Sequence, residues 1–174
     1  ISKFKSAVSE LKRGYTMDSE TQVGPLARKD LADQLHSQVE RSVEKGAELI
    51  LGGKLENCFH EPTILGNVKP GMPAFDEETF GPLAAMIKAK TIEEAFELSE
   101  ESKFGLGVTV FTKDIQKAMD MADRVSDGAY FINELVKSDP RLPFGGTKTS
   151  GFGRELAKDG MMEFINRKTV YVKA

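Results

Sequence analysis

Hydrophobic positions alternate between helical and extended spacing along most of the chain. Phe4, Val8 and Leu11 recur at helical spacing, and Gly14 is placed to end that helix. A polar loop follows from Tyr15 to Pro25. From Arg28 to Lys45 a stripe of Leu31, Leu35, Val39 and Val43 predicts an amphipathic helix closed by Gly46. Ala47 to Leu51 is a short apolar run stopped by Gly52-Gly53, which reads as strand and turn, and Pro62 to Leu65 is a second extended piece. Leu83 to Ala89 predicts a strand. Thr91 then caps a helix, Glu94 completes a capping box, and Ile92, Ala95, Phe96 and Ser99 form its inward face. Gly105 to Phe111 holds the next strand. Thr112 caps a helix with Ile115, Ala118, Met119, Ala122 and Val125 inward, and Asp127-Gly128 turns the chain into a strand from Ala129 to Ile132. Pro143 to Gly153 is glycine-rich and irregular, and Lys168 to Lys173 alternates as a lone strand with no helix after it. Strands joined through helices imply parallel crossovers. The expected fold is therefore α/β, a mostly parallel sheet with flanking helices, plus the terminal strand.

Composition narrows the chemistry. The 174 residues suit one domain, with 40% hydrophobic and 29% charged residues. The 24 Lys+Arg are scattered among 27 Asp+Glu, for a net charge of -3, so no basic face suits a nucleic acid. The apolar runs are too short to span a membrane. A single cysteine, Cys58, excludes a disulfide within the chain, and with only His36 and His60 beside it no structural zinc spacing exists. No metal is expected, and a cytoplasmic setting is. The chain opens on Ile1, already in helical pattern, so a preceding N-terminal region is expected. Cys58 and His60 are two apart and on a strand would share a face, as a thiol–imidazole pair requires. An ordinary half-buried cysteine is the favoured reading.

Three stretches carry more. They are Gly24-Pro25-Leu26, then Glu77-Glu78-Thr79-Phe80-Gly81-Pro82, then Asn133 followed by Pro143-Phe144-Gly145-Gly146-Thr147-Lys148-Thr149-Ser150-Gly151-Phe152-Gly153-Arg154-Glu155. From the second alone, a solvated acidic pair ahead of a strand is the plainer reading. The third is no dinucleotide fingerprint, because position 156 is Leu and no apolar strand leads into it. In order and spacing the three together resemble the C-terminal part of the aldehyde dehydrogenase superfamily, and the resemblance runs from Ile1 to Ala174.

The resemblance implies an NAD- or NADP-dependent oxidation of an aldehyde to a carboxylic acid. Hydride transfer needs donor carbon and nicotinamide aligned roughly 3–3.5 Å apart. A carboxylate can accept two hydrogen bonds from a ribose cis-diol, and the resemblance gives that role to Glu78, with Phe80 near the nicotinamide. It places Phe144 in the substrate tunnel, where the alternative is a core aromatic. The family's nucleophilic cysteine and general-base glutamate lie upstream, so this chain contributes no catalytic residue and is expected to be inactive alone. The segment Asn133 to Leu142 is similar to that of bacterial succinate-semialdehyde dehydrogenases. It offers Ser138 and Arg141, with Lys137 as a further cation, to a carboxylate-tailed substrate. The alternative there is a solvated loop touching another subunit. Residues 1–160 are expected to be the C-terminal part of the catalytic domain and 161–174 a tail whose strand assembles a homo-oligomer. A non-catalytic truncated module that only folds and oligomerises stands as the alternative function.

Overall fold

The computed structural model describes residues 1–174. They form two compact units, Ile1–Ala95 and Phe96–Ala174.

The first unit is organised by helix α2 (Lys29–Glu44), which follows α1 (Ser2–Ser9) and the polar loop. Strand β1 (Glu48–Leu51) leaves α2 through Gly46, whose φ of 100° reverses the chain where a side chain would be strained. A short hairpin, β2 (Leu55–Glu56) and β3 (Phe59–His60), precedes β4 (Thr63–Gly66). Helix α3 (Pro73–Asp76) then leads to β5 (Leu83–Ala85). The sheet order is β1-β4-β5, with β1 antiparallel and β5 parallel to β4. All four residues of β4 are buried, as a central strand covered on both faces should be. Val39 of α2 meets Ala47, Leu65, Val68 and Met72 in one cluster. Shortening a side chain such as Leu65 to alanine there costs about 2–5 kcal/mol.

The second unit takes up most of α4 (Ile92–Glu101), which begins in the first. Thr91 Oγ1 accepts from Glu94 N at 3.1 Å, as the capping box predicts, while the Glu94 carboxylate reaches back to the Lys90 N–H rather than to that of Thr91. Strands β6 (Phe104–Gly105) and β7 (Val108–Val110) follow, then α5 (Ile115–Asp120), a single 3-10 turn, and β8 (Tyr130–Ile132). Strands β7 and β8 pair in parallel across α5, the crossover that the alternating pattern predicts. Strand β9 (Thr147–Lys148) pairs antiparallel with β6, and α6 (Ala157–Met162) comes last. No helix is long and apolar enough to cross a membrane.

The α/β class stands, but the sheet is not mostly parallel. Two strand pairs are parallel and three antiparallel, in one three-stranded sheet and three two-stranded ones. The antiparallel pairs arise where the connection is too short for a crossover, as between β2 and β3, or where a distant segment returns, as β9 does. Helix α1 ends at Ser9, well before Gly14. Ala95 is exposed, and only Phe96 on α4 is fully buried. Asp114, not Thr112, caps α5, its carboxylate accepting from Lys117 N at 3.0 Å. The inward residues on this stretch are Ala118 and Met121, one helical turn apart, while Ile115 and Met119 are exposed. The α2 stripe is turned by one residue, to Ala32, Leu35, Val39 and the polar Gln38 and Ser42. Residues 166–174 hold no assigned strand, since a ladder needs a partner.

His60, 1% exposed, is the most deeply buried titratable side chain of the first unit. Its Nδ1 lies 2.9 Å from the Glu61 carbonyl, which can only accept, so that nitrogen carries the proton. Its ring stands edge-on to His36 of α2, with centroids 5.7 Å apart. Burial pushes the His60 pKa down, nearby His36 adds to that, and the Glu61 carbonyl opposes it. The folded state therefore holds His60 neutral while the unfolded chain protonates near 6.5. Stability is full above that pH and is lost as pH falls below it toward the depressed folded value. The melting temperature is expected to fall between about pH 7.5 and about pH 5.5, a window above ordinary carboxylate titration. In His60→Phe the slope should flatten; the same slope in that variant would assign the acid sensitivity to other groups.

Candidate functional site

In the first unit the acidic pair of residues 77 and 78 divides its labour. Arg41 grips Glu77 with two parallel bonds, Nη1 to Oε1 and Nη2 to Oε2, both 2.8 Å. Gln38 Nε2 adds a third to Glu77 Oε2 at 3.1 Å. Glu78 is exposed, and its backbone carbonyl accepts from the same Gln38 amide at 3.1 Å. Two residues on, Phe80 is 67% exposed. The loop is then fixed by backbone bonds, Gly81 N to Thr79 O at 3.2 Å and Thr63 N to Pro82 O at 2.8 Å. A Cβ on Gly81 would stand 2.4 Å from Leu35 Cδ2, so glycine lets the loop lie against α2. Two of the predicted residues, Glu78 and Phe80, thus share one short, anchored loop.

In the second unit the glycine-rich stretch is built by close backbone approach. A Cβ on Gly128 would fall 1.6 Å from the Gly145 carbonyl oxygen, and one on Gly145 would fall 2.6 Å from that of Gly153. Phe144 and Glu155 exchange backbone bonds of 2.9 and 2.7 Å. Arg154 Nη1 donates to the carbonyls of Gly146 at 3.0 Å and Gly153 at 2.7 Å, which staples the bend. Lys148 Nζ donates to the carbonyls of Glu100 and Ser102, both at 3.1 Å, and so holds the C-terminal end of α4. Glu100 in turn accepts from Ser126 N and Oγ at 2.8 Å each; the Ser126 N–H chiefly holds its pKa below the ordinary carboxylate value. The charged residues of the motif therefore hold backbone in place. Phe144 is half-buried and lines two cavities, one of about 760 Å³ that it shares with Phe152, Leu156, Met161 and Phe164, and one of about 280 Å³.

The smaller cavity lies between β8 and the loop that follows it. Asn133, at φ 57°, ends the strand: its side-chain amide exchanges two 2.8 Å bonds with the backbone of Thr112. Lys137, Asp139 and Leu142 wall the cavity with Phe144, while Ser138 and Arg141 do not line it. Ser138 is exposed. Arg141 is bound to Asp139 through Nε at 2.9 Å and Nη2 at 2.6 Å, and that guanidinium holds the Asp139 carboxyl well below its ordinary pKa. Lys137 is likewise paired, with Glu134 at 2.9 Å.

Cys58 and His60 do not form a thiol–imidazole pair. Cys58 is half-buried in the β2–β3 turn, and its carbonyl accepts from Leu26 N at 2.7 Å. His60 is committed to the Glu61 carbonyl and packs against His36. Residues missing from the sequence reading are Gln38, Arg41 and Ser42. A polar set at i, i+3 and i+4, inside a helix whose apolar stripe runs beside it, was the available signal.

Comparison with known proteins adds a family. The model of the aldehyde dehydrogenase family matches residues 1–170. A succinate semialdehyde dehydrogenase [NAD(P)+] of Escherichia coli is 49% identical over 172 residues, which is 97% of this chain and 37% of that protein. The crystal structure of succinate-semialdehyde dehydrogenase from Burkholderia pseudomallei superposes with a TM-score of 0.88 at 36% identity, over 94% of this chain and 34% of that one. Betaine aldehyde dehydrogenase from Staphylococcus aureus, solved in complex with NAD+, gives 0.87 at 33% identity, over 94% and 35%. The chain thus spans little more than a third of the length of these relatives.

Proposed function

Because the chain belongs to the aldehyde dehydrogenase family, we propose that it supplies the C-terminal part of a cytoplasmic NAD- or NADP-dependent enzyme that oxidises succinic semialdehyde to succinate. The observation that carries the reading is the division between Glu77 and Glu78. Glu77 is committed to Arg41, which leaves the exposed Glu78 carboxylate, two residues from an exposed Phe80, to meet a ligand. Such a carboxylate fits a ribose, since its two oxygens accept from both hydroxyls of a cis-diol. Glu78 would hold the nicotinamide ribose and Phe80 would lie beside the ring. When bound there, the nicotinamide would supply the hydride acceptor. Phe144 forms one wall for the aldehyde, and the backbone packing at Gly128 and Gly145 keeps that wall fixed. The nucleophile and general base belong, on this reading, to the preceding part of the enzyme.

The substrate is proposed from the loop after β8. A carboxylate tail needs a donor, and Ser138 is exposed while Arg141 and Lys137 are already paired. Ser138 is therefore the first contact, and Arg141 serves only on release from Asp139. The complete enzyme is expected to prefer succinic semialdehyde to butanal by about 10- to 100-fold in kcat/KM, the range of one charge-assisted hydrogen bond. Ser138→Ala should erode that ratio through the semialdehyde alone. Equal efficiency on both aldehydes in the wild type would remove the semialdehyde assignment.

Glu78→Gln keeps the shape and removes the charge. Hydride transfer in the complete enzyme is expected to slow about 10-fold or more through lost positioning. A pre-steady-state rate equal to wild type would exclude Glu78 from the ribose.

The tail, residues 161–174, is proposed to assemble a homo-oligomer. The sequence of Thr169 to Val172 suits a strand that would form on a partner, and Val170, Tyr171 and Val172 are each about four-fifths exposed. An unpaired strand edge invites another chain. Deleting residues 167–174 from the complete enzyme should yield monomers or aggregates in light scattering; an intact oligomer would count against this role.

A further inference from the structure

Three polar residues of α2 have no part in the chemistry described so far. Gln38 is buried, 1% exposed, between Leu35 and Val39 on the face that α2 turns inward. Its Nε2 donates both to Glu77 Oε2 and to the Glu78 carbonyl, each at 3.1 Å. Arg41, one turn along, grips the Glu77 carboxylate through both oxygens. Ser42, also buried, gives its proton to the Gln38 carbonyl at 2.6 Å and accepts from Ala74 N at 2.9 Å. One helical face thus holds the chain from Ala74 to Glu78 at three points.

Core packing does not call for this arrangement. A leucine at position 38 would match the stripe, whereas a buried amide is costly unless its hydrogen bonds are made. The bonds that Gln38 makes fall on one short target, the peptide of Glu78 and the side chain before it. Pinning the Glu78 carbonyl restricts rotation of the peptide plane next to its Cα, and that sets where its side chain departs. Arg41 removes Glu77 as a competing carboxylate and stops the segment from sliding by one residue. Beyond Glu78, Gly81 closes the loop against Leu35 of the same helix.

On the reading of Glu78 as the ribose-binding carboxylate, we infer that Gln38, backed by Arg41, is a positioning residue that sets Glu78 for the nicotinamide half of the cofactor. It touches neither cofactor nor substrate, and acts through the Glu78 backbone.

The test uses the complete enzyme with Gln38→Leu, Arg41→Met, Arg41→Lys and Glu78→Gln, and measures the Kd of NAD+ and of ADP by calorimetry. ADP lacks the second ribose, so it reports the adenosine half alone. Gln38→Leu is expected to weaken NAD+ by about 10-fold, the order of one buried hydrogen bond, with ADP unchanged. Glu78→Gln should shift the same ratio, and the double variant should be little weaker than either single one, since both changes break one contact chain. Arg41→Met should move the ratio and Arg41→Lys should restore much of it. Arg41 is partly exposed, so these two carry the test if Gln38→Leu does not fold. A Gln38→Leu or Arg41→Met enzyme whose NAD+ to ADP ratio stays at wild type, while Glu78→Gln shifts it, overturns the positioning role and leaves the Glu78 reading intact. Equal weakening of NAD+ and ADP also overturns it, because that marks a general structural role. A wild-type ratio in Glu78→Gln instead removes the ribose reading itself, and the positioning role with it.

Discussion

A buried primary amide must have its hydrogen bonds made within the protein, and Gln38 meets that demand at the turn between α3 and β5. The first unit is arranged around this requirement. Helix α2 has to lie where Leu35 and Val39 enter the core and where Gln38 and Ser42, one residue off the same stripe, reach Glu78 and Ala74. Hydrophobic packing alone fixes the helix only loosely about its axis, because neighbouring apolar residues can replace one another. Directed bonds at positions 38, 41 and 42 define that rotation. The loop that carries Glu78 and Phe80 is thereby referred to a sixteen-residue helix and not to its own short backbone.

Much of this arrangement was legible in the sequence, and the parts that were not share a cause. The strong signals were local. The stripe on α2, the Gly52-Gly53 turn, the Thr91–Glu94 cap and the parallel pair across α5 all follow from period and capping within a few residues. The misreadings arose where a partner lay far along the chain. Gln38 and Ser42 fall outside the predicted apolar stripe, and their partners at residues 74–78 are more than thirty positions away. Strand β9 sat inside a glycine-rich stretch because its pairing with β6 crosses more than forty residues. On α5, Ala118 is buried as its period predicts, but Ile115 and Met119 are exposed and Met121, just past the helix, is buried instead.

The motif of residues 143–155 illustrates a related point. Its two cations, Lys148 and Arg154, are both engaged with main-chain carbonyls. Its glycines matter through contact: the Gly128 backbone comes so near the Gly145 carbonyl that no side chain fits between them. Phe144 lines both cavities, and the fully exposed Phe152 lines the larger one with it. Most members of this motif thus serve as scaffold, and scaffold geometry is the more exacting demand on residue type.

The loop after β8 carries two acids and two bases, and each is paired with its neighbour, Glu134 with Lys137 and Asp139 with Arg141. Paired charges only a few ångströms apart cancel beyond about 8 Å, the screening distance at physiological salt. Any anion approaching from solution therefore meets a loop with no net field to draw it in. Its charge becomes distinguishable only at contact, where hydroxyl and amide dipoles act over a single bond length. Such a surface gives discrimination in how long a molecule stays and not in how often it arrives, so the encounter rate at this loop is set by diffusion and is indifferent to ionic strength.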